Sequence, residues 1–179
     1  MTTGFPVLKT ERLLLREILP ADIQYIFRGL SDPKVIQHFE VSFHSLKATA
    51  DQMKWYADMI LNDTGRCWAI CNTDNSIFYG VATLNFWKKK HRTAETGYWI
   101  LPEYWGKGIV TEAMRAILEH GFTSMNLHRI SAEVEDDNRA SIAVMQKLGF
   151  ACEGTRKECE IKEVRFINLQ MFALIKSEA

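Results

Sequence analysis

Residues 67–72, 77–87 and 93–101 are three stretches of strand-forming residues with only short turns between them. The first turn carries Thr73, Asp74 and Asn75, and the second is the basic run 88–92. A parallel neighbour needs a crossover of about a dozen residues or more, so strands this close in sequence pair antiparallel. An antiparallel meander therefore occupies the middle of the chain, and the rest must pack around it.

On either side the periodicity changes. Residues 12–17 (RLLLRE) predict a first strand. Pro20 and Asp22 open an amphipathic helix with Ile23, Ile26, Phe27 and Leu30 on one face, and Asp32-Pro33 stops it. A short turn is expected at 35–39. Ser45 then caps a longer helix carrying Leu46, Met53, Tyr56, Ala57, Ile60 and Leu61, which ends at Asn62-Asp63-Thr64-Gly65. Beyond the meander the pattern predicts a helix over 107–123, a strand over 128–134, a helix over 139–148, and strand pieces over 151–157 and 163–174. A strand–helix–strand crossover fed by a meander gives an α/β (α+β) fold, with a mixed, mostly antiparallel sheet of about seven strands flanked by helices. The chain of 179 residues contains no repeat and no linker rich in Pro, Gly or Ser, so residues 1–179 are expected to form one domain.

Charge narrows the partners. Lysine plus arginine number 22 and aspartate plus glutamate number 22, so no net field draws the protein to nucleic acid or to anionic lipid. The N-terminal segment lacks the basic and apolar regions of a signal peptide, and no apolar run is long enough for a membrane span; the cytoplasm is the expected compartment. The cysteines at 67, 71, 152 and 159 have neither zinc nor redox spacing, and the histidines at 38, 44, 91, 120 and 128 form no metal-binding pair. Reduced cysteines and no metal are expected.

The chemistry-bearing segment is 98–113, YWILPEYWGKGIVTEA. It reads as a strand, a short glycine-bearing loop and a helix whose apolar stripe is Val110, Ala113, Met114, Ile117, Leu118 and Phe122. The first N–H groups of such a helix lack intrahelical partners and lie at the positive end of its dipole, which suits a pyrophosphate. Gly106 and Gly108 let the backbone approach a ligand, and Lys107 adds a cation. The phosphate loop G-x-x-x-x-G-K-[ST] is absent, and the third glycine of the dinucleotide fingerprint is missing. A glycine pair before a helix is also compatible with an ordinary tight turn.

Along nearly its whole length the chain resembles the GNAT superfamily, in its ribosomal-protein-acetyltransferase branch of the RimJ and RimL type. The resemblance rests on TERLLLRE at 10–17, Asp32-Pro33, ETGYWI at 95–100, the loop and helix from Trp105 to Ala113, DNRAS at 137–141, and KLGF at 147–150 followed by Glu153-Gly154. It implies an acetyl-CoA-dependent N-acetyltransferase that attacks the thioester directly with a primary amine. The superfamily loop usually begins with Gln or Arg and ends with Gly or Ala; here Trp105 and Val110 hold those positions. The loop Trp105, Gly106, Lys107, Gly108, Ile109, Val110 and Thr111 is the implied pyrophosphate site. The strand at Tyr98 to Leu101, with Trp99, Ile100 and Leu101 as coenzyme contacts, is expected to splay from its neighbour at a bulge and to offer backbone groups to the pantetheine and thioester. Asn138 and Ser141 resemble the pair that holds the pantetheine arm, with Ser141 near the sulfur.

For the base, the resemblance favours Glu95 ahead of Glu160 and its neighbours Glu158 and Glu163. For the acid it offers Ser141, where many superfamily members use a tyrosine. Each has a structural alternative: Glu95 as an ordinary strand residue, Ser141 as a coenzyme contact, Asn138 as a helix cap. Tyr98, Trp99, Tyr104 and Trp105 are candidates to line the site or to fill the core. The basic run 88–92 fits a solvated turn or an acidic partner. The acceptor amine, a protein N-terminus or a small molecule such as an antibiotic, polyamine or amino acid, stays open. So does a non-catalytic acyl-CoA-binding role, and a homodimer is compatible with the family.

Overall fold

The computed structural model describes residues 4–39 and 41–176. Among the described residues eight strands form one sheet: β1 (Leu8–Lys9), β2 (Leu13–Glu17), β3 (Arg66–Asn72), β4 (Phe78–Lys88), β5 (Thr93–Ile100), β6 (Arg129–Glu135), β7 (Ala151–Lys162) and β8 (Arg165–Ile175). Their order is β1-β2-β3-β4-β5-β6-β8-β7, and every pairing is antiparallel except that of β5 with β6. The meander is present as expected, and the one parallel pair, β5 with β6, is joined by a helical crossover over 109–123.

Strand alternation divides the core. Leu13, Leu15, Trp68, Ile70, Ala82, Leu84, Ala94 and Ile130 pack in one cluster with Ala113, Met114 and Ile117 of α4 (Ile109–Thr123) and Ile142 and Met145 of α5 (Arg139–Lys147). The alternate residues Cys67, Ala69, Cys71, Val81, Trp99 and Leu101 pack against Ile26 and Leu30 of α1 (Ile23–Ser31) and Tyr56 and Met59 of α3 (Leu46–Leu61). Helices thus cover both faces of the sheet's middle.

The helix signals act as written, with local corrections. Ser45 Oγ accepts the Ala48 N–H at 3.1 Å and caps α3. Asp32-Pro33 ends α1 but also starts α2 (Pro33–Ile36), where a plain turn was expected, because Asp32 Oδ1 accepts the Lys34 N–H at 2.9 Å. Helix α4 starts at Ile109, two residues later than expected, because Gly108 at φ 74° lies in the left-handed region. Strand β7 runs through Glu158 and Glu160 to Lys162, so these glutamates sit on a strand and not on the expected loop. A register shift between Arg156 and Glu160 bends the strand there.

The feature that positions the site is a pairing that stops. β5 and β6 are in register only at Thr93↔Arg129, Ala94↔Ile130 and Glu95↔Ser131. Beyond Glu95, β5 stays paired with β4 as far as Gly80↔Ile100. Beyond Ser131, β6 stays paired with β8 as far as Glu135↔Leu169. Each strand follows its outer neighbour, so the sheet opens between them. The expected bulge is not in 98–101: the register shift lies in β4 between Asn85 and Lys88, where Phe86 has φ 50°.

Candidate active site

The opening between β5 and β6 is a crevice of about 820 Å3, lined by the free ends of both strands, the start of α4, the start of α5 and the segment around α2. Antiparallel pairing decides which backbone groups of β5 face it. The Leu101 N–H donates to Tyr79 O at 2.9 Å, so Leu101 points its backbone at β4. By the alternation of such ladders Trp99, Gly97 and Glu95 do the same, while Thr96, Tyr98 and Ile100 turn theirs toward the gap. The Ile100 carbonyl accepts the Trp105 indole N–H at 2.7 Å. The N–H groups of Tyr98 and Ile100 are therefore the donors that β5 presents to the crevice.

At one end lies the α4 loop. Gly106 at φ 72° and Gly108 at φ 74° turn the backbone so that the first amides of α4 face the crevice, and the N-cap position, Gly108, has no side chain to cap them. A Cβ built on Gly106 would meet nothing within 4 Å, so the space over the loop is open. Trp105 spans the loop through its bond to Ile100, which is what this side chain does in the position usually held by Gln or Arg. The loop is braced from below: Arg12 Nη1 donates to Lys107 O at 3.2 Å and Arg12 Nε to Glu112 Oε2 at 2.6 Å, while Thr10 Oγ1 donates to Glu112 Oε1 at 2.5 Å. Burial would raise the Glu112 carboxyl, but the hydrogen bonds from Thr10 and Arg12 outweigh it and hold the group below its usual range. Arg12 and Glu112 belong to separate motifs of the sequence, and their separation of 100 residues hides the brace they form.

Helix α5 supplies the opposite wall. Asn138 Oδ1 accepts the Ser141 N–H at 3.1 Å, so Asn138 is a helix cap, and it also lines the crevice. Ser141 Oγ lies 2.8 Å from the Tyr98 hydroxyl. Burial pushes the Tyr98 phenol up to about 12, while the bond to Ser141 pulls it down. An uncapped helix start with open glycines, two free strand donors and the Asn138–Ser141 turn fit a long ligand that carries a pyrophosphate at one end and an amide-bearing arm at the other.

The third region lies on the α2 side. Glu133, Glu135 and Glu160 line it together with Lys34 and His38. Glu135, 8% exposed, accepts from His38 Nδ1 at 2.9 Å and from the Lys162 ammonium. His38, Glu135 and Asp137 bring three potential ligand atoms within 4.8 Å of one another. Lys162 and Arg165 already pair with these two carboxylates, so a metal ion there would have to displace them. The sequence hid this group, although Glu133 and Glu135 follow the period-two pattern opposite Ala132 and Val134.

Of the sequence candidates, Trp99, Ile100, Trp105, Gly106, Gly108, Ile109, Val110, Thr111, Asn138, Ser141 and Glu160 all line the crevice. Three others, and the alternative bases Glu158 and Glu163, stand off its wall. Leu101 is 1% exposed in the second core cluster, with its N–H bound to Tyr79. Lys107 extends its ammonium over the Tyr104 ring, 5.3 Å from the centroid. Glu95 sits at the last paired position, on the α1 and α3 face by strand alternation. Burial raises its carboxyl first and the nearby Glu133 raises it further, against Lys88 and Arg156. In the basic run, Lys89 pairs with Asp63 and stands over Trp87, and Arg92 bonds to Asn126. Those cations tie the turn to the segment after α3 and to the segment before β6.

Comparison with known proteins gives the family. The family model described as Acetyltransferase (GNAT) domain matches residues 12–151. An uncharacterised N-acetyltransferase, p20 of Bacillus licheniformis, is 32% identical over 96% of this chain and 97% of its own length. Spermidine N(1)-acetyltransferase of Escherichia coli K12 is 28% identical over 87% of this chain and 79% of its own. The solved structure of RimL, a ribosomal L7/L12 alpha-N-protein acetyltransferase in complex with coenzyme A, superposes with a TM-score of 0.86. It covers 95% of this chain and 98% of its own at 20% identity, which is a likeness of fold. With the family match over most of its length and a crevice that suits the coenzyme, the chain belongs to the GNAT family and is an acetyl-CoA-dependent N-acetyltransferase.

Proposed function

We propose that this protein, acting as one domain, acetylates the α-amine of a polypeptide N-terminus in the crevice between β5 and β6. The observation that carries the reading is the end of β5–β6 pairing at Glu95 and Ser131, which exposes strand donors beside two helix starts. When bound, the coenzyme supplies an activated acetyl thioester. The amides of 106–111 hold its pyrophosphate, Asn138 holds the pantetheine arm, and Ser141 stands beside the sulfur. The N–H of Tyr98 or Ile100 is aimed at the acetyl oxygen, where preorganised donors act most strongly.

The amine enters from the α2 side and needs a proton acceptor. We assign this to Glu95, whose raised carboxyl is the better base for it, acting through water along the Glu133 side of the crevice. An α-amine near pKa 7.7–8.0 needs far less help than a lysine near 10.4, which suits a base standing back from the wall. The crevice carboxylates Glu133, Glu135 and Glu160 favour a second reading, a small polycationic amine. Thiol release measured with N-terminal peptides and with diamines of matched length separates the two: faster turnover of peptides supports the first reading, and turnover of diamines alone removes it. Glu95→Gln is expected to lose turnover with either acceptor, whereas an unchanged rate with loss in Glu160→Gln moves the base to Glu160.

A further inference from the structure

We infer that Tyr98 is a positioning residue for the departing sulfur: its hydroxyl donates to Ser141 Oγ and thereby turns the Ser141 hydroxyl hydrogen toward the thiolate. The inference rests on the proposed place of the sulfur beside Ser141. A serine hydroxyl rotates freely and both donates and accepts, so alone it need not face a developing anion. Here two contacts hold Ser141. Its backbone N–H is fixed by Asn138 Oδ1 at 3.1 Å, and its Oγ lies 2.8 Å from the Tyr98 oxygen. The Tyr98 ring packs against the first core cluster, so the phenol reaches the crevice from a rigid strand. With Tyr98 as donor, an acceptor position on Ser141 is filled and its own hydrogen is left for the sulfur.

Acidity decides what this pair does. The phenol is pushed up to about 12, by burial above all, whereas a thiol titrates near 8.5. A proton would move uphill from tyrosine to thiolate, so the pair stabilises the leaving group by hydrogen bonding and keeps its protons. As the amine nitrogen bonds to the acetyl carbon, the carbon–sulfur bond breaks and its electron pair stays on sulfur. The thiolate accepts the Ser141 hydrogen bond and later takes its proton from solvent.

The test uses coenzyme A and the full chain. Thiolate absorbance of the coenzyme A complex is followed against pH in the wild type, Tyr98→Phe, Ser141→Ala and the double variant, with turnover measured alongside. A hydrogen bond to a charged group predicts about tenfold less thiolate at neutral pH in each single variant, and about tenfold lower kcat with the KM for acetyl-CoA unchanged. The double variant should lose no more than Ser141→Ala. Losses that multiply, or a Tyr98→Phe complex that titrates like the wild type, overturn the inference. Should Tyr98→Phe fail to fold, fluorotyrosine at position 98 replaces it: a more acidic phenol must raise the thiolate fraction, and a flat response is equally fatal. The thiol titration needs no acceptor, so it judges Tyr98 even where the peptide reading fails.

Discussion

Glu95 shows how one residue can be placed by sequence and still be redefined by structure. Its burial and the charge of Glu133 favour the protonated carboxyl in the folded state. A group whose folded pKa is raised contributes stability that is complete below its unfolded value and fades as pH climbs through the folded one. Activity runs the other way, since a base must be ionised. Stability is therefore expected to fall, and kcat/KM to rise, as pH climbs through the raised value of Glu95. Glu95→Gln should melt higher than the wild type above that value and lose the acid limb of the rate profile; a melting temperature that follows pH as in the wild type would contradict the assignment. Asn138 combines two duties, a cap for α5 and a place on the crevice wall. Asn138→Ala should cost about 1 kcal/mol in denaturant unfolding, the usual effect of a lost cap, and also weaken coenzyme binding. Loss of stability alone would leave it a cap and nothing more.

Elements were legible where their signals are local. The strand–turn–strand run of the meander, Asp32-Pro33, Ser45 and the Gly106–Gly108 loop each act within a few residues, and each element formed close to its expected place. What the sequence hid is contact between distant segments: the Arg12–Glu112 brace, the Tyr98–Ser141 bond and the His38–Glu135 pair join residues 100, 43 and 97 positions apart. The resemblance named the loop residues but could not show that Leu101 and Lys107 turn away from the crevice, because that depends on ladder phase and on packing over Tyr104. The brace carries its own prediction. Glu112→Gln keeps the shape but removes the charge that holds Arg12, so coenzyme affinity should fall by about 3- to 30-fold, with the fold intact by circular dichroism. Unchanged affinity would make the brace purely structural.

At the scale of the molecule, the sheet is continuous at one end of the β5–β6 seam and open at the other, with helices on both faces to hold the opening apart. The cysteines report on that packing. Cys67 and Cys71 are buried in the second cluster, and burial pushes their thiols up to about 12 and about 11, whereas Cys152 and Cys159 are exposed. A thiol reagent at neutral pH should modify the exposed pair first and reach the buried pair only on unfolding. Rapid modification of all four in the native protein would mean that the helix-covered face opens readily. Among the described residues no helix is long and apolar enough to cross a membrane. Coenzyme binding depends on the opening and on the α4 loop beside it, and calorimetric titration with acetyl-CoA tests that most directly. The wild type should bind one equivalent, and Gly108→Val, which forces a β-branched residue to φ 74°, should lose that binding while retaining a cooperative melt. Equal binding by both proteins, or none by the wild type, would contradict it.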